Sequence, residues 1–186
     1  MIGLVVVVVL GLTVNNSGNS PKVAVSPPSS SPASSPATAP VTPTTAALAS
    51  AKGKPCVGLK DPLPKGAPPM LLIPGPAPTK LSVQDLQVGT GAVVPKNAKV
   101  TMNYVGVACS TGKIFDSSYS RNQSFAADLS SAGQLILGWQ QGIPGMRIGG
   151  IRLLTIPSDL GYGPAGNPPI APDEALYFLV AAVKLG

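Results

Sequence analysis

The chain has 186 residues, of which 11% are charged, and it contains no histidine. The missing imidazole excludes Ser-His-Asp and Cys-His catalysis, and with only two cysteines it also excludes His-based and Cys₄ zinc sites. Residues 1–80 hold 15 of the 22 prolines and six Lys against one Asp, whereas residues 81–186 hold all eight aromatic residues. The net charge of +6 therefore belongs mostly to the first 80 residues. Because no basic cluster is interleaved with aromatics, nucleic-acid binding is not expected.

Residues 1–14, MIGLVVVVVLGLTV, form an apolar run that is shorter than the roughly 20 residues needed to span a bilayer. Its length is typical of the hydrophobic core of a signal peptide, although no Lys or Arg precedes it. We therefore expect export. A short membrane-associated or disordered end is the alternative.

Residues 15–54 are mostly Ser, Thr, Pro and Ala and contain no aromatic side chain. Such a segment buries too little apolar surface to offset its ordering entropy, so we expect a disordered linker with polyproline II character. Residues 55–80 stay rich in proline but include the apolar run MLLI at 70–73, which we expect to pack on the folded domain as an extended strand. The folded domain is expected over residues 81–186.

The two cysteines, Cys56 and Cys109, lie on either side of the boundary between the proline-rich lead and the aromatic-bearing half. In an oxidising compartment an even pair favours a disulfide. That bond would close a loop of about 50 residues, which the chain-entropy model credits with ~4 kcal/mol of stability. The alternative is two free thiols in a reducing compartment.

Hydrophobic patterns predict that the folded domain is mostly strand. The predicted strands cover residues 81–88, 99–107, 151–156 and 175–185. Alternation in the second of them places Val100, Met102 and Tyr104 on one face. Residues 138–146 have a helical pattern, which internal Gly and Pro limit to about two turns. An antiparallel sheet with one short helix on its face is an α+β architecture.

Several ordered motifs of this domain resemble those of FKBP-type peptidyl-prolyl cis-trans isomerases. They lie in NYVGVACSTGKIFDSSYSRNQSF and in LILGWQQGIPGMRIGGIRLLTIPSDLGYGPAGNPPIAP, and the resemblance spans residues 80–186. The fold that it implies is a curved antiparallel sheet wrapped around one short helix. The Ser- and Pro-rich segment that precedes the domain resembles that of family members from actinobacterial cell envelopes. This resemblance implies an exported or envelope protein of bacterial origin.

The resemblance implies a role for each matching residue. Trp139 would form the floor of a proline-binding pocket, and Asp116 would be a buried carboxylate that orders it. The backbone N–H of Ile136 and the hydroxyl of Tyr162 would bind substrate carbonyls. The implied substrate-binding residues are Tyr104, Phe115, Arg121, Phe125, Leu135, Ala171 and Leu179. This chemistry implies no metal and no cofactor.

Three positions depart from the family pattern. Ala171 stands where an Ile usually precedes the loop proline, and Asp173 replaces a second proline. Leu179 aligns with a Phe of the last strand, while Phe178 lies beside it on the opposite face. We expect these changes to widen the pocket, alter substrate preference and reduce affinity for macrolide immunosuppressants, with catalysis retained.

Each residue also has a purely structural interpretation. Taken singly, Tyr104 is typical of a strand core, Trp139 of packing beside a glycine, and Asp116 of a turn. Their joint order favours a site. We expect a monomeric isomerase that acts on Pro-containing polypeptides. The alternatives are a module that binds such segments with little turnover, and an inert tethered domain whose tail carries the function.

Overall fold

The computed structural model of the chain describes residues 47–130 and 135–186. The segment expected to be signal-like at 1–14, and most of the linker expected at 15–54, lie outside the described residues. The strands are β1 Ser82–Gln87, β2 Lys99–Ala108, β3 Ile114–Ser117, β4 Phe125–Asp128, β5 Ile151–Ile156 and β6 Leu176–Leu185, with the helix α1 Leu137–Gly142 between β4 and β5. Two short 3₁₀ turns, Ser158–Leu160 and Gly163–Ala165, separate β5 from β6.

The six strands form one antiparallel sheet that curves around α1, which confirms the predicted α+β architecture. The strand order is β1-β5-β6-β2-β3, and β4 also pairs with β2. The long strands β2 and β6 form the centre of the sheet, with pairs running from Val100 opposite Leu185 to Ala108 opposite Leu176. The four strands predicted from the sequence correspond to β1, β2, β5 and β6.

The short strands β3 and β4 were not predicted, and both pair with β2. Each has four residues, too few for an alternating pattern to stand out. Asp116 and Ser117, which suggested a turn, belong to β3, and the turn begins at Ser118. Because β3 continues the sheet, it places Phe115 and Asp116 alongside the C-terminal part of β2.

The sheet separates two apolar clusters. Val100, Met102 and Tyr104 of β2 share the inner cluster with α1, as their alternation predicted. Val105 and Val107 belong to the outer cluster on the opposite face. A strand side chain points to one face or the other, so a residue of β2 or β6 contributes to one cluster only.

Residues 55–80, termed the lead, cover the outer cluster. A disulfide joins Cys56 of the lead to Cys109, which directly follows β2. Cys56 and Gly75 exchange two backbone hydrogen bonds of 2.8 and 3.1 Å. The run at 70–73 alternates: its first and third residues are buried in the outer cluster, while Leu71 and Ile73 are 81% and 75% exposed. The lead is therefore an extended segment that packs on the outer cluster and is bonded covalently to the end of β2 through the Cys56–Cys109 disulfide.

Contacts with the folded domain begin before the lead. The backbone N–H of Ala51 donates to the carbonyl of Pro172 at 2.8 Å, and the hydroxyl of Ser50 donates to the carboxylate of Asp173 at 2.8 Å. These residues fall at the C-terminal end of the segment expected to be a linker. None of the helices in residues 47–130 and 135–186 has the length and apolar character needed to cross a bilayer.

A buried arginine connects β1, β5 and the end of α1. The Arg152 side chain is 7% exposed and donates to both carboxylate oxygens of Asp85, at 2.6 and 3.0 Å. It also donates to the carbonyls of Gly142 and Pro144, at 2.8 and 3.2 Å. The hydrogen bond from Arg152 lowers the pKa of the Asp85 carboxyl, and partial burial opposes that shift.

Replacing Asp85 by Asn should lower the free energy of unfolding by about 2 kcal/mol at pH 7, because Arg152 would stay buried without its counter-charge. The folded-state pKa of Asp85 lies below its unfolded value of roughly 3.9, so its contribution is present above that pH and is lost as the pH falls through the folded pKa. Urea unfolding of the wild type and of the variant between pH 7 and pH 2 measures the difference. Asp159→Asn, at an exposed carboxylate, is the control. A difference that stays constant down to pH 2 would contradict the assignment.

Candidate functional site

An open cleft of about 490 Å³ lies on the inner face of the sheet. Its lining residues are Tyr104, Phe115, Asp116, Phe125, Leu135, Ile136, Leu137, Trp139, Gly161, Tyr162 and Phe178. These come from β2, β3, β4, α1 and its preceding loop, the turn after β5, and β6. Six of the eight aromatic residues of the chain line this one cleft, a concentration typical of a binding site rather than of packing alone.

The aromatic rings are arranged edge to face around Tyr104 and Trp139. The Tyr104 ring lies 5.9 Å from that of Phe125 and 5.2 Å from that of Trp139, centroid to centroid. The Trp139 ring lies 5.1 Å from that of Phe178, and Phe178 lies 5.5 Å from Phe115, with interplanar angles of 82° and 85°. Such perpendicular pairs hold the rings in fixed orientations. The result is a rigid apolar wall with an indole at its centre.

Two glycines allow α1 to place Trp139 close against the sheet. A Cβ on Gly138 would lie 2.5 Å from Cγ2 of Ile156, and one on Gly142 would lie 2.7 Å from Cδ2 of Leu154. The helix therefore packs on β5 at a distance that larger residues would not permit. Trp139 is only 5% exposed, and its indole N–H has no hydrogen-bond partner among the described residues.

A third glycine, to which the sequence motifs assigned no role, makes room for two rings of the wall. A Cβ on Gly106 of β2 would lie 2.6 Å from Cζ of Phe115 and 2.8 Å from Cε1 of Phe178. The register explains the crowding, since Gly106 is opposite Asp116 on one side and opposite Phe178 on the other. Any larger residue here would push the two rings out of place.

A polar network closes one side of the cleft. The hydroxyl of Tyr104 donates to the carboxylate of Asp116, and Arg121 donates to the same carboxylate. Nη2 of Arg121 also donates to the Tyr104 hydroxyl at 2.8 Å, and its Cζ lies 5.7 Å from the centroid of the Tyr104 ring. Asp116 is 38% exposed and Arg121 46% exposed. The expectation of a buried carboxylate is therefore wrong, because Asp116 lies at the cleft wall where water reaches it.

Burial, more than the polar network, keeps the Tyr104 hydroxyl protonated. Burial raises the pKa of Tyr104 to about 12, and its hydrogen bond to Asp116 acts in the same direction. The hydroxyl therefore keeps its proton and remains a donor.

Two more hydrogen bonds join Tyr104 of β2 to the turn that follows β3. The Tyr104 N–H donates to the hydroxyl of Ser118 at 2.8 Å, and the Ser118 N–H donates to the Tyr104 carbonyl at 3.1 Å.

Two further hydrogen-bond donors belong to residues that line the cleft. Ile136 is the N-cap of α1, and its carbonyl accepts the N–H of Trp139 at 3.0 Å. The N–H of Ile136 makes no hydrogen bond with another described residue. Burial raises the pKa of the Tyr162 hydroxyl, a hydrogen bond with the Asn167 side chain opposes that shift, and the charge of Asp116 adds to it. Both groups are protonated donors at neutral pH.

Leu179 does not line the cleft, contrary to the sequence alignment. It packs in the outer cluster with Val105 and Leu153, whereas its neighbour Phe178 lines the cleft. The alignment was off by one residue, and in a strand a shift of one moves a side chain to the other face. Phe178 therefore supplies the aromatic ring that the family pattern has in the last strand. The expectation that Leu179 widens the pocket is wrong. The alternation of Leu176, Phe178 and Val180 was the signal for the correct assignment.

Two further predicted residues lie outside the lining. Arg121 acts on the cleft through Asp116 and Tyr104 instead of contacting the cavity. Ala171 is half-buried in the loop before β6, where its carbonyl accepts the N–H of Glu174 at 3.3 Å. Leu137, which the sequence analysis did not single out, lines the rim and is 49% exposed. In the part of the chain that the structure describes, no three His, Cys, Asp or Glu side chains come together as metal ligands.

The sequence profile of the family described as FKBP-type peptidyl-prolyl cis-trans isomerase matches residues 91–183. A probable FK506-binding protein of Corynebacterium glutamicum is 43% identical over 117 residues, which cover 62% of this chain and 97% of the relative. An FK506-binding protein of Streptomyces anulatus is 45% identical over 113 residues, which cover 60% of this chain and 90% of the relative. The crystal structure of AtFKBP13 superposes on this chain with a TM-score of 0.53 and 34% sequence identity. The superposed region covers 59% of this chain and 96% of the AtFKBP13 chain. The matched range 91–183 contains every lining residue of the cleft.

Proposed function

Because the chain belongs to the FKBP-type peptidyl-prolyl cis-trans isomerase family, we propose that it accelerates X-Pro rotation in exported or envelope proteins by seating the proline in the aromatic cleft. The enzyme class follows from the family, whereas the class of substrate proteins and the roles of the cleft residues are what we propose. The observation that carries the proposal is the concentration of six aromatic residues around one open cleft.

The chemistry requires only a change of environment. Rotation about an X-Pro bond takes about 10–100 s unaided, because twisting the amide destroys its resonance. The planar amide is the more charge-separated form, so water stabilises it more than the twisted form. A cleft that replaces water by aromatic side chains therefore favours the twisted form, which is differential binding of the transition state. Each ~1.4 kcal/mol gained in this way accelerates the exchange tenfold.

In this proposal the proline ring lies on the indole of Trp139, between the rings of Tyr104 and Phe178. The N–H of Ile136 and the hydroxyl of Tyr162 bind carbonyls on either side of the rotating bond. What supports these roles is that both donors line the same cleft as the indole. The Tyr104–Asp116–Arg121 network then keeps the polar wall from collapsing onto the apolar floor.

We also propose that the protein is exported in a bacterium. The apolar run at 1–14 supports this proposal, as does the disulfide between Cys56 and Cys109, a bond typical of oxidising compartments. The family binds Pro-containing peptides and FK506-type ligands. For this chain we propose a reduced macrolide affinity through Ala171 and Asp173, which lie in the loop before β6 and outside the cleft lining. Leu179 adds nothing to that reduction, since the aromatic position attributed to it is filled by Phe178. Cell fractionation with an antibody against the folded domain tests the location.

Replacing Tyr162 by Phe should lower kcat/KM about fivefold, because one donor to a substrate carbonyl is lost while the ring stays in place. The measurement is catalysed cis–trans exchange of an Ala-Pro peptide by the full chain, followed by exchange NMR. Tyr177→Phe removes the same atom from the other face of the sheet and is the control. Peptide binding without acceleration by the wild type would identify a binding module instead.

A further inference from the structure

Gln140 of α1 makes a hydrogen bond that the helix itself does not require. Its side-chain Nε2 donates to the carbonyl of Leu135 at 3.0 Å. Leu135 precedes the N-cap Ile136, so its carbonyl lies outside the hydrogen-bond ladder of the helix. The ladder uses the next carbonyl, that of Ile136, which accepts the N–H groups of Trp139 and Gln140 at 3.0 and 3.4 Å.

The carbonyl of Leu135 and the N–H of Ile136 belong to the same peptide group. Among the described residues, the bond between Pro168 and Pro169 is the only cis peptide, so this group is trans. In a planar trans peptide the C=O and N–H point in opposite directions. A hydrogen bond that fixes the direction of the Leu135 carbonyl therefore also fixes the direction of the Ile136 N–H.

We infer that Gln140 is a positioning residue, which aims the Ile136 N–H at the substrate carbonyl from outside the cleft. The inference rests on the proposed function, in which that N–H binds substrate. Leu135 and Ile136 both line the cleft, and the N–H of Ile136 makes no hydrogen bond with a described residue. Gln140 itself is half-buried and does not line the cleft.

The bond also strengthens the donor it orients. Donation into the Leu135 carbonyl polarises the peptide group, which makes the Ile136 N–H a better donor to the next acceptor. Without Gln140, this peptide plane loses the side-chain hydrogen bond that holds its direction, and part of the substrate's binding free energy is used to fix it. Since the N–H contacts substrate in the ground state and in the transition state alike, the loss should appear in KM and leave kcat nearly unchanged.

The test compares four variants of the full chain. Gln140→Met and Gln140→Glu remove the donor, and the glutamate keeps the size and an acceptor oxygen. Gln140→Lys keeps a donor of comparable reach. The matched control is Gln141→Met, the same change at the exposed neighbouring residue. The emission maximum of Trp139, the only tryptophan, shows whether each variant keeps the folded cleft.

We expect Gln140→Met and Gln140→Glu to raise KM about fivefold with little change in kcat, the loss of roughly one hydrogen bond. The amide ¹H shift of Ile136 should move in both, and Gln140→Lys should restore most of the KM. A KM for Gln140→Met equal to that of Gln141→Met would overturn the inference, even where Tyr162→Phe loses activity as proposed. If Tyr162→Phe and Asp116→Val both keep full activity, the proposed site fails, and the role of Gln140 fails with it.

Discussion

Replacing Asp116 by Val should lower kcat/KM by about thirtyfold, which corresponds to ~2 kcal/mol of transition-state binding. The Asp116 carboxylate accepts two hydrogen bonds, one from the Tyr104 hydroxyl and one from the Arg121 guanidinium. Valine occupies similar space on β3 and suits a strand, but it accepts neither bond. The Tyr104 ring then loses the contact that fixes the cleft wall, and Arg121 is left without its counter-charge.

The control for Asp116→Val is Asp128→Val on β4. The Asp128 carboxylate accepts a backbone hydrogen bond from Ser130 at 3.0 Å and lies 3.8 Å from Nζ of Lys99, but it does not line the cleft. This variant should keep full activity. Exchange kinetics and thermal unfolding of both proteins separate a lost site from a lost fold. A folded Asp116→Val protein with wild-type kcat/KM would contradict the role given to the network.

The second large effect is on stability. Replacing both Cys56 and Cys109 by Ser should lower the free energy of unfolding by about 4 kcal/mol, because the disulfide closes a loop with a sequence separation of 53. For a folded unit of this size the melting temperature should fall by roughly 10–15 °C. The cleft lies on the other face of the sheet, so activity at temperatures where the variant is folded should match that of the wild type.

Differential scanning calorimetry measures the effect of the double serine variant. The oxidised wild type, treated with a reductant, should shift to the temperature of the variant, and the variant itself should not respond. The control is Leu71→Ser, a change in the lead at a residue that is 81% exposed. It should leave the melting temperature unchanged within about 1 °C. A double variant as stable as the oxidised wild type would show that closing the loop between Cys56 and Cys109 contributes nothing to the free energy of unfolding.

The sequence predicted those features that periodicity decides. Alternation placed Tyr104 on the inner face, because a strand side chain has only two directions available. The same rule accounts for the error at Leu179, since an alignment displaced by one residue selects the opposite face. The motifs assigned most of the cleft residues, including Trp139 and Tyr162, because their order along the chain is preserved.

What the sequence did not show depends on distances between segments far apart in the chain. The crowding at Gly106 requires knowing that β3 and β6 flank β2 there. The bond from Gln140 to Leu135 requires the geometry of a helix start, where an i to i−5 side-chain contact has no sequence signature. The exposure of Asp116 likewise depends on where β3 meets solvent, which composition and spacing do not determine.

The bond between Cys56 and Cys109 also determines how the molecule responds to pulling. A mechanical load applied N-terminal to Cys56 first breaks the weak contacts of Ser50 and Ala51, and then crosses directly to Cys109 through covalent sulfur. The covalent path of that load bypasses the residues enclosed between the two cysteines, which include β1 and Tyr104. A pull from the N-terminal side of Cys56 therefore enters the folded domain at Cys109, directly after β2, and does not run along the chain through β1.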